Sequence, residues 1–287
     1  MLSDGVRSRR VSVATVTGRA ERSMSFGAIA DDYDRLRPAP PSEAVDWLLP
    51  DRRDVVVDLG AGTGLLSRTI VPMARRVVAV DPDDRMRAVL TARSAGVEVL
   101  PGRGEAIPLP DASADAVLVA SAWHWMDPDL AGTEIARVLR DTGRLGIIRT
   151  TQEPAPWLRA EAWFSSGDED AASRAVADRA RREREDRERA LSDLVLFRNI
   201  ETATFRFTRT MTVVDLVDWL STYSRVITAS AHVKAAGRTR ATAALAEAFP
   251  GAAEIGVPMR SRCWRADRVP RLLPPSGLPS SAAAASR

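Results

Sequence analysis

"VVVDLGAGTGLLS", Val55 to Ser67, runs three β-branched residues into an acid and a leucine, then sets a glycine at every second position. The valines read as a buried strand, and the leucines that follow open a helix. Gly60, Gly62 and Gly64 therefore fall in the tight connection at the strand's carboxyl end, where open α/β sheets take ligands. Glycine permits positive φ and lets a ligand approach the backbone with no Cβ in the way. A nucleoside-like ligand is expected across this loop, with the backbone of Ala61 between the first two glycines.

The spacing narrows the ligand. A dinucleotide fold places its third glycine one residue later, so that a pyrophosphate meets the helix N-terminus. Here the pattern is G-x-G-x-G, and Asp58 precedes the first glycine. Negative charge there repels a pyrophosphate and suits an ammonium group. A second acid, Asp81, ends the next strand, where a carboxylate can accept both ribose hydroxyls. Two acids around a glycine turn suit a cationic nucleoside.

Outward from the loop, strands and helices alternate from residue 54 to about 150. "DVVVDLG", a helix near Leu65 to Met73, "RVVAVDP", a helix near Met86 to Ser94, "VEVLPG", "ADAVLVASA", a helix near Pro128 to Leu139 and "GRLGIIRT" follow one another. This alternation predicts an α/β fold with a parallel sheet covered on both faces. Before it, "SFGAIADDYDRLRPAPPSEAVDWLL" predicts a short helix through Asp34, a Pro-rich turn and a helix that Ser42 caps. Residues 1–24 read as a flexible leader and 268–287 as a disordered, low-complexity tail. After residue 150, "GDEDAASRAVADRARREREDRERALSDL" reads as a solvated charged helix. "FRFTRTMTVVDLVDWLSTYS" reads as a strand and an amphipathic helix, "TRATAALAEAFP" as a helix and "VPMRSRCWRADR" as a last strand.

Of the 287 residues, 45% are apolar and 28% charged, the profile of a globular protein. No apolar run approaches the roughly 20 residues of a membrane helix, and no secretion signal is read, so a cytoplasmic location is expected. Cys263 is the one cysteine and His124 and His232 the two histidines, which excludes an internal disulfide and a metal cage built on them. The net charge of +3 is weak evidence for nucleic acid, and Lys234 is the one lysine, so the positive charge is nearly all arginine.

Asp58, Gly60, Gly62 and Gly64 followed by Asp81 resemble the cofactor motifs of class I S-adenosylmethionine-dependent methyltransferases. "GRGEAIPLPDASADAVLVASAWHWMDP" is similar to the segment with which such enzymes cradle adenine and floor the active site. "FGAIADDYDRLRP", "IARVLRDTGRLGII" and "VPMRSRCWRA" resemble small-molecule enzymes of the type 11 methyltransferase domain, close to the trans-aconitate methyltransferase group. The resemblance covers most of residues 25–267. It implies a Rossmann-like, doubly wound, mostly parallel seven-stranded sheet with helices on both faces. The cofactor-binding core would be 54–150, a helical cap insertion 154–223, and the final strands would run to 267.

By the same resemblance the cofactor is S-adenosylmethionine, its product S-adenosylhomocysteine, with no metal. Gly60, Ala61 and Gly62 would pass under the methionine portion and ribose, Asp58 would help hold the amino end, and Asp81 would bind the ribose diol. Pro82 would lie against the adenine, Gly104 and Glu105 at its edge, and Ser121 beside the cofactor after the fourth strand. Tyr33 and Arg37 match positions that approach the methionine carboxylate, which the planar guanidinium suits; the alternative is that they close the N-terminal helix on the domain. Asp115 is read as a local structural acid, Met86 as core or the edge of the adenine pocket, and Cys263 as a buried small residue.

Trp123, His124 and Trp125 follow the fourth strand, beside the expected methyl group. His124 is the candidate general base, and the tryptophans a candidate aromatic wall for the acceptor; a packing plug is the alternative. Trp157, Trp163, Phe164, Trp219 and Tyr223 are candidates for the apolar lining of the cap, with ordinary core as the alternative for several. The expected partner is a small-molecule acceptor of the methyl group, with no nucleic acid and no membrane, and a homodimer is left open. An RNA methyltransferase, a NAD-dependent oxidoreductase and a regulatory module without turnover are the competing readings. The first lacks an N-P-P-[YF] motif and a basic, aromatic patch; the second is disfavoured by the glycine spacing.

Overall fold

The computed structural model describes residues 25–158, 163–164, 195–227 and 229–271. Seven strands form one sheet: β1 (Val55–Leu59), β2 (Arg76–Asp81), β3 (Val97–Pro101), β4 (Ala114–Ala120), β5 (Leu139–Gln152), β6 (Phe197–Met211) and β7 (Ile255–Arg268). Their spatial order is β3-β2-β1-β4-β5-β7-β6. The strands from β1 to β5 run parallel, and β7 lies antiparallel between β5 and β6. The order reverses between β1 and β4, so the carboxyl ends of these two strands flank the crevice in which doubly wound sheets take ligands. The expected mostly parallel, Rossmann-like sheet is observed.

Eight helices are described: α1 (Ala30–Leu36), α2 (Ser42–Leu48), α3 (Leu65–Ile70), α4 (Asp84–Arg93), α5 (Pro128–Val138), α6 (Val213–Ser221), α7 (Ser224–Ile227) and α8 (Ala231–Ala248). The valine run feeds both faces of the sheet because successive strand residues point opposite ways. Val56, Val77, Ala116 and Leu118 pack under α2 and α3 with Leu48, Leu66 and Ile70. Val57, Leu59, Val78 and Val119 pack under α5 with Ala131, Ile135 and Val138. Burying each such valine or leucine stabilises by about 1.5–3 kcal/mol, so these two layers hold the end of β1 rigid.

A third core joins α6 and α8 to β7 through Leu216, Trp219, Leu220, Leu245, Val257 and Met259, and takes in Trp163 and Phe164. The cap expected over 154–223 thus encloses β6, a full strand of the main sheet. Four helices start on side-chain caps, Asp83, Asp127, Thr212 and Ser230, each worth about 1 kcal/mol. Ser42 is not among them. Pro41 takes the N-cap position in an extended conformation, and Ser42 falls inside the first turn with no capping bond.

Asp115 is structural, as expected: it accepts from the Val55 N–H at 2.8 Å and from Arg140 at 2.5 Å. Met86 and Cys263 are buried, and burial pushes the Cys263 thiol up to about 12. β7 continues through Arg268, and the Val269 N–H donates to the Leu196 carbonyl, so ordered chain extends past the expected start of the tail. The expected leader and the charged stretch at 165–194 lie outside the described residues.

Candidate active site

Gly60, Gly62 and Gly64 all adopt positive φ, 70°, 56° and 88°, which costs another residue roughly 1–2 kcal/mol. Their surroundings differ. A Cβ at Gly60 would sit 2.6 Å from the Cβ of Ala122, and one at Gly64 would sit 2.7 Å from Ser94 Oγ and 2.8 Å from Leu90 Cγ. A Cβ at Gly62 would meet nothing within 4 Å. The protein itself crowds Gly60 and Gly64, and Gly62 is the glycine that faces open space. The expectation that all three spare room for a ligand is corrected at two positions.

The acids occupy the same corner. Asp58 is fully buried, and Ser67 Oγ donates to its Oδ2 at 2.6 Å while Oδ1 has no partner. Burial pushes the Asp58 carboxyl up to about 7, against the Ser67 hydrogen bond and with the help of the charge on Asp81. Asp81 Oδ2 accepts from the Gly62 N–H at 2.8 Å and Oδ1 from the Asp83 N–H at 2.9 Å. Its carboxyl is also raised, by burial first. Each Asp81 oxygen keeps a second lone pair for a further donor.

Between this loop and α1 runs a cleft of about 60 Å³, lined by Tyr33, Arg37, Ala61, Gly62, Ser121 and Thr150 among others. That is room for one end of a ligand, since small-molecule sites measure roughly 300–1,000 Å³. Outside the cleft, Gly62 faces open space and Pro82 is exposed. Ser121, at the end of β4, adopts a φ of 52°, and its N–H donates to the Ile148 carbonyl at 2.8 Å. Non-glycine residues held in this region cluster at functional sites. Gly104 is buried, and a Cβ there would lie 2.6 Å from Met126 Sδ. Glu105 accepts from the Asp127 N–H at 2.8 Å, so its carboxylate, expected at the adenine edge, pins the loop after β4.

α1 is tied onto the glycine loop. Asp34 pairs with Arg68 at 2.6 Å and Arg93 at 2.9 Å, and Arg68 also donates to the Thr63 carbonyl at 2.9 Å. Burial raises the Asp34 carboxyl, but the two arginines outweigh it and hold it below its ordinary value.

Trp123, His124 and Trp125 form one 3-10 turn after β4. Trp123 is 2% exposed and belongs to the core under α5, so it is a packing plug and not part of an acceptor wall. Trp125 is half-buried and meets His124 at 4.5 Å and Phe26 at 6.1 Å, and Phe26 in turn meets Tyr33 at 5.6 Å. His124 is half-buried and is not among the cleft-lining residues. Trp157 packs edge-on to Phe249 at 5.0 Å against the third core, away from the cleft.

Tyr223 meets the cleft through Arg37. Its hydroxyl donates to Gln152 Oε1 at 2.6 Å, and its ring lies under the Arg37 guanidinium, 4.7 Å from ring centre to Cζ. Tyr33 lies at 5.1 Å from the same Cζ. The chain has two tyrosines, and both hold this one arginine. Arg37 Nη2 donates to the Thr222 carbonyl at 2.9 Å, and its Nε is buried without a partner. Phe26, Thr150, Gln152 and Arg209 were not expected here. Alternation along β5 places Thr150 and Gln152 on the face of Ile148, a readable signal; nothing local marks Arg209.

Residues 57–147 match the family described as "Methyltransferase domain". This stretch, from β1 into β5, is similar to a methyltransferase domain. An uncharacterized methyltransferase of Mycobacterium bovis is 51% identical over 142 residues, which cover 49% of this chain and 58% of that one. An uncharacterized methyltransferase-like protein of Schizosaccharomyces pombe is 37% identical over 140 residues, 47% of this chain and 55% of that one. The chain thus spans little more than half the length of these curated relatives. A structure described as a type II methyltransferase, from Anaeromyxobacter dehalogenans, superposes with a TM-score of 0.61 at 24% identity, over 81% of this chain and 98% of that one. That likeness extends the shared fold beyond residues 57–147.

Proposed function

We propose that this protein transfers the methyl group of S-adenosylmethionine to a small-molecule acceptor and releases S-adenosylhomocysteine. The observation that carries the reading is the buried acid pair at an open glycine: Asp58 with an unpartnered oxygen, Asp81 with a lone pair free on each oxygen, and Gly62 facing empty space. An unpaired buried acceptor costs about 1–3 kcal/mol, and a cationic donor removes that penalty.

Asp58 then faces the amino group, Asp81 the ribose diol, and Ala61 and Ser121 flank the methionine portion. Tyr33 and Arg37 face the methionine carboxylate. Pro82 and the main chain of Gly104 and Glu105 border the adenine. When bound, the sulfonium supplies an electrophilic methyl for in-line displacement, and the chain's part is to hold the acceptor at near-attack distance. Trp125 and Tyr223 border the acceptor, and His124 is the imidazole in reach of that turn for a proton the acceptor must lose. The setting is bacterial secondary metabolism in the cytoplasm, with no metal.

Calorimetry tests the cofactor: S-adenosylhomocysteine should give saturable heat and NADH none, and the reverse result sinks the reading. Mass spectrometry of cell extracts incubated with enzyme and isotopically labelled methyl donor then identifies the acceptor. A His124→Ala variant with an unchanged pH–rate profile would remove the base from the scheme.

A further inference from the structure

This inference rests on the methyl-transfer reading and concerns the wall facing the glycine loop. In this chain a partly buried arginine is repeatedly matched by a carboxylate: Arg68 by Asp34, Arg140 by Asp115, Arg144 by Asp267, Arg265 by Glu201 and Arg268 by Asp141. Two guanidinium groups are not so matched, that of Arg37 lining the cleft and that of Arg209 on the Leu36 carbonyl next to it. Arg37 spends one nitrogen on the Thr222 carbonyl and leaves Nε without a partner. Arg209, half-buried, donates through Nη1 to the Leu36 carbonyl, one residue from Arg37. Among the described residues neither meets a carboxylate at ion-pair distance. Asp215, the acid whose charge acts on Arg209, is engaged by Arg35 at 2.9 Å.

The sheet register places Arg209 on the face that the cleft uses. Thr150, Ser261 and Phe205 form one cross-strand row, and Gln152, Met259 and Phe207 the next. Val257 and Arg209 follow on the same face, because side chains repeat every second residue. Thr150 lines the cleft, Gln152 takes the Tyr223 hydroxyl, and the charges of Arg37 and Arg209 both act on that hydroxyl. Two adjacent positive charges in a partly desolvated wall repel each other, and burial already lowers the pKa of Arg209. The cofactor brings one carboxylate for two arginines. We propose that the methyl acceptor carries an oxyanion, a carboxylate or a phosphate, and that Arg209 binds it beside the Arg37–Tyr223 pair.

The test uses the full chain saturated with S-adenosylhomocysteine, titrated calorimetrically with benzoate, phenyl phosphate and neutral benzamide. Wild type should bind at least one of the two anions and not benzamide, and the better anion names the source of the charge. Arg209→Gln should weaken that anion by at least about tenfold, as loss of a charge-assisted partner does, and Arg209→Lys should recover part of it. Affinity for S-adenosylhomocysteine should stay within about twofold in both variants. An Arg209→Gln protein that melts like wild type and binds the anion equally well overturns the inference alone. So does a drop in S-adenosylhomocysteine affinity matching that of Arg37→Gln, since Arg209 would then serve the cofactor. Wild type that gives no heat with S-adenosylhomocysteine overturns the methyl-transfer reading and this inference together.

Discussion

The two walls of the cleft carry opposite charge and are built in opposite ways. The glycine-loop wall is acidic and assembled from near neighbours: Ser67 bonds Asp58 across 9 positions and Gly62 bonds Asp81 across 19. The facing wall is basic and assembled from afar. Arg37 reaches Thr222 across 185 positions, Arg209 reaches Leu36 across 173, and Tyr223 reaches Gln152 across 71. The first wall is held by backbone in left-handed conformations and by main-chain N–H groups, the second by long side chains. Substitutions in the first should therefore act through backbone strain and buried charge, and those in the second through single side-chain contacts.

The largest effect that separates the walls is expected at Gly60. Gly60→Val combines positive φ with a Cβ 2.6 Å from Ala122 and should lose about 3 kcal/mol or more in urea unfolding. A loss below about 1 kcal/mol would show that the loop repacks freely.

Asp58→Asn comes next, and its sign depends on pH. The folded-state carboxyl sits near 7, above its ordinary 3.8, so the folded protein holds a proton that the unfolded chain lacks between those values. Stability from this group grows as pH falls through about 7 toward 4 and is lost as pH rises above 7. The asparagine variant should melt above wild type at pH 8 and converge on it at pH 5. Wild-type affinity for S-adenosylhomocysteine should fall below pH 7, where Asp58 must shed a proton to meet an ammonium group. A flat pH profile for both quantities would remove Asp58 from the floor.

Gly62→Ala sharpens the contrast within the loop. Its Cβ enters open space, so the stability cost should be only the strain of about 1 kcal/mol. S-adenosylhomocysteine affinity should nevertheless fall about tenfold or more, equivalent to about 1.4 kcal/mol. Undiminished binding would place the ligand elsewhere.

The smallest effect is expected on the basic wall. Tyr223→Phe removes one hydrogen bond to Gln152 and should cost about 1 kcal/mol of stability, with S-adenosylhomocysteine affinity unchanged. Burial pushes the Tyr223 hydroxyl up to about 12, so wild type and variant should show the same pH dependence below pH 10. A new inflection lost in the variant would contradict that.

Particular residues show how far the chain could be read before it was folded. The strand–glycine–helix unit and the acid ending β2 were legible because each is a local pattern of a few residues. Trp123 and Trp125 were not separable, since a 3-10 turn sends one ring into the core under α5 and leaves the other against Phe26. Ser42 was read as a cap because serine favours that role, and the extended Pro41 before it took the position instead. Glu105 is expected at the adenine edge by backbone or side chain; its carboxylate accepts from the Asp127 N–H, a partner that the loop after β4 supplies only in the folded chain.

What residue order settled was the alternation of strands and helices, the turn that demands glycine, and the two acids at the ends of β1 and β2. These follow from backbone periodicity and φ preference, which act between neighbours. Folding in three dimensions settled that, of the three loop glycines, Gly62 faces free space, that Trp123 is core, and that Arg37, Arg209 and both tyrosines meet. Those outcomes depend on how β5, β6, β7 and α1 pack across the sheet, and van der Waals contact and hydrogen bonding between such distant segments leave no mark on short stretches of sequence.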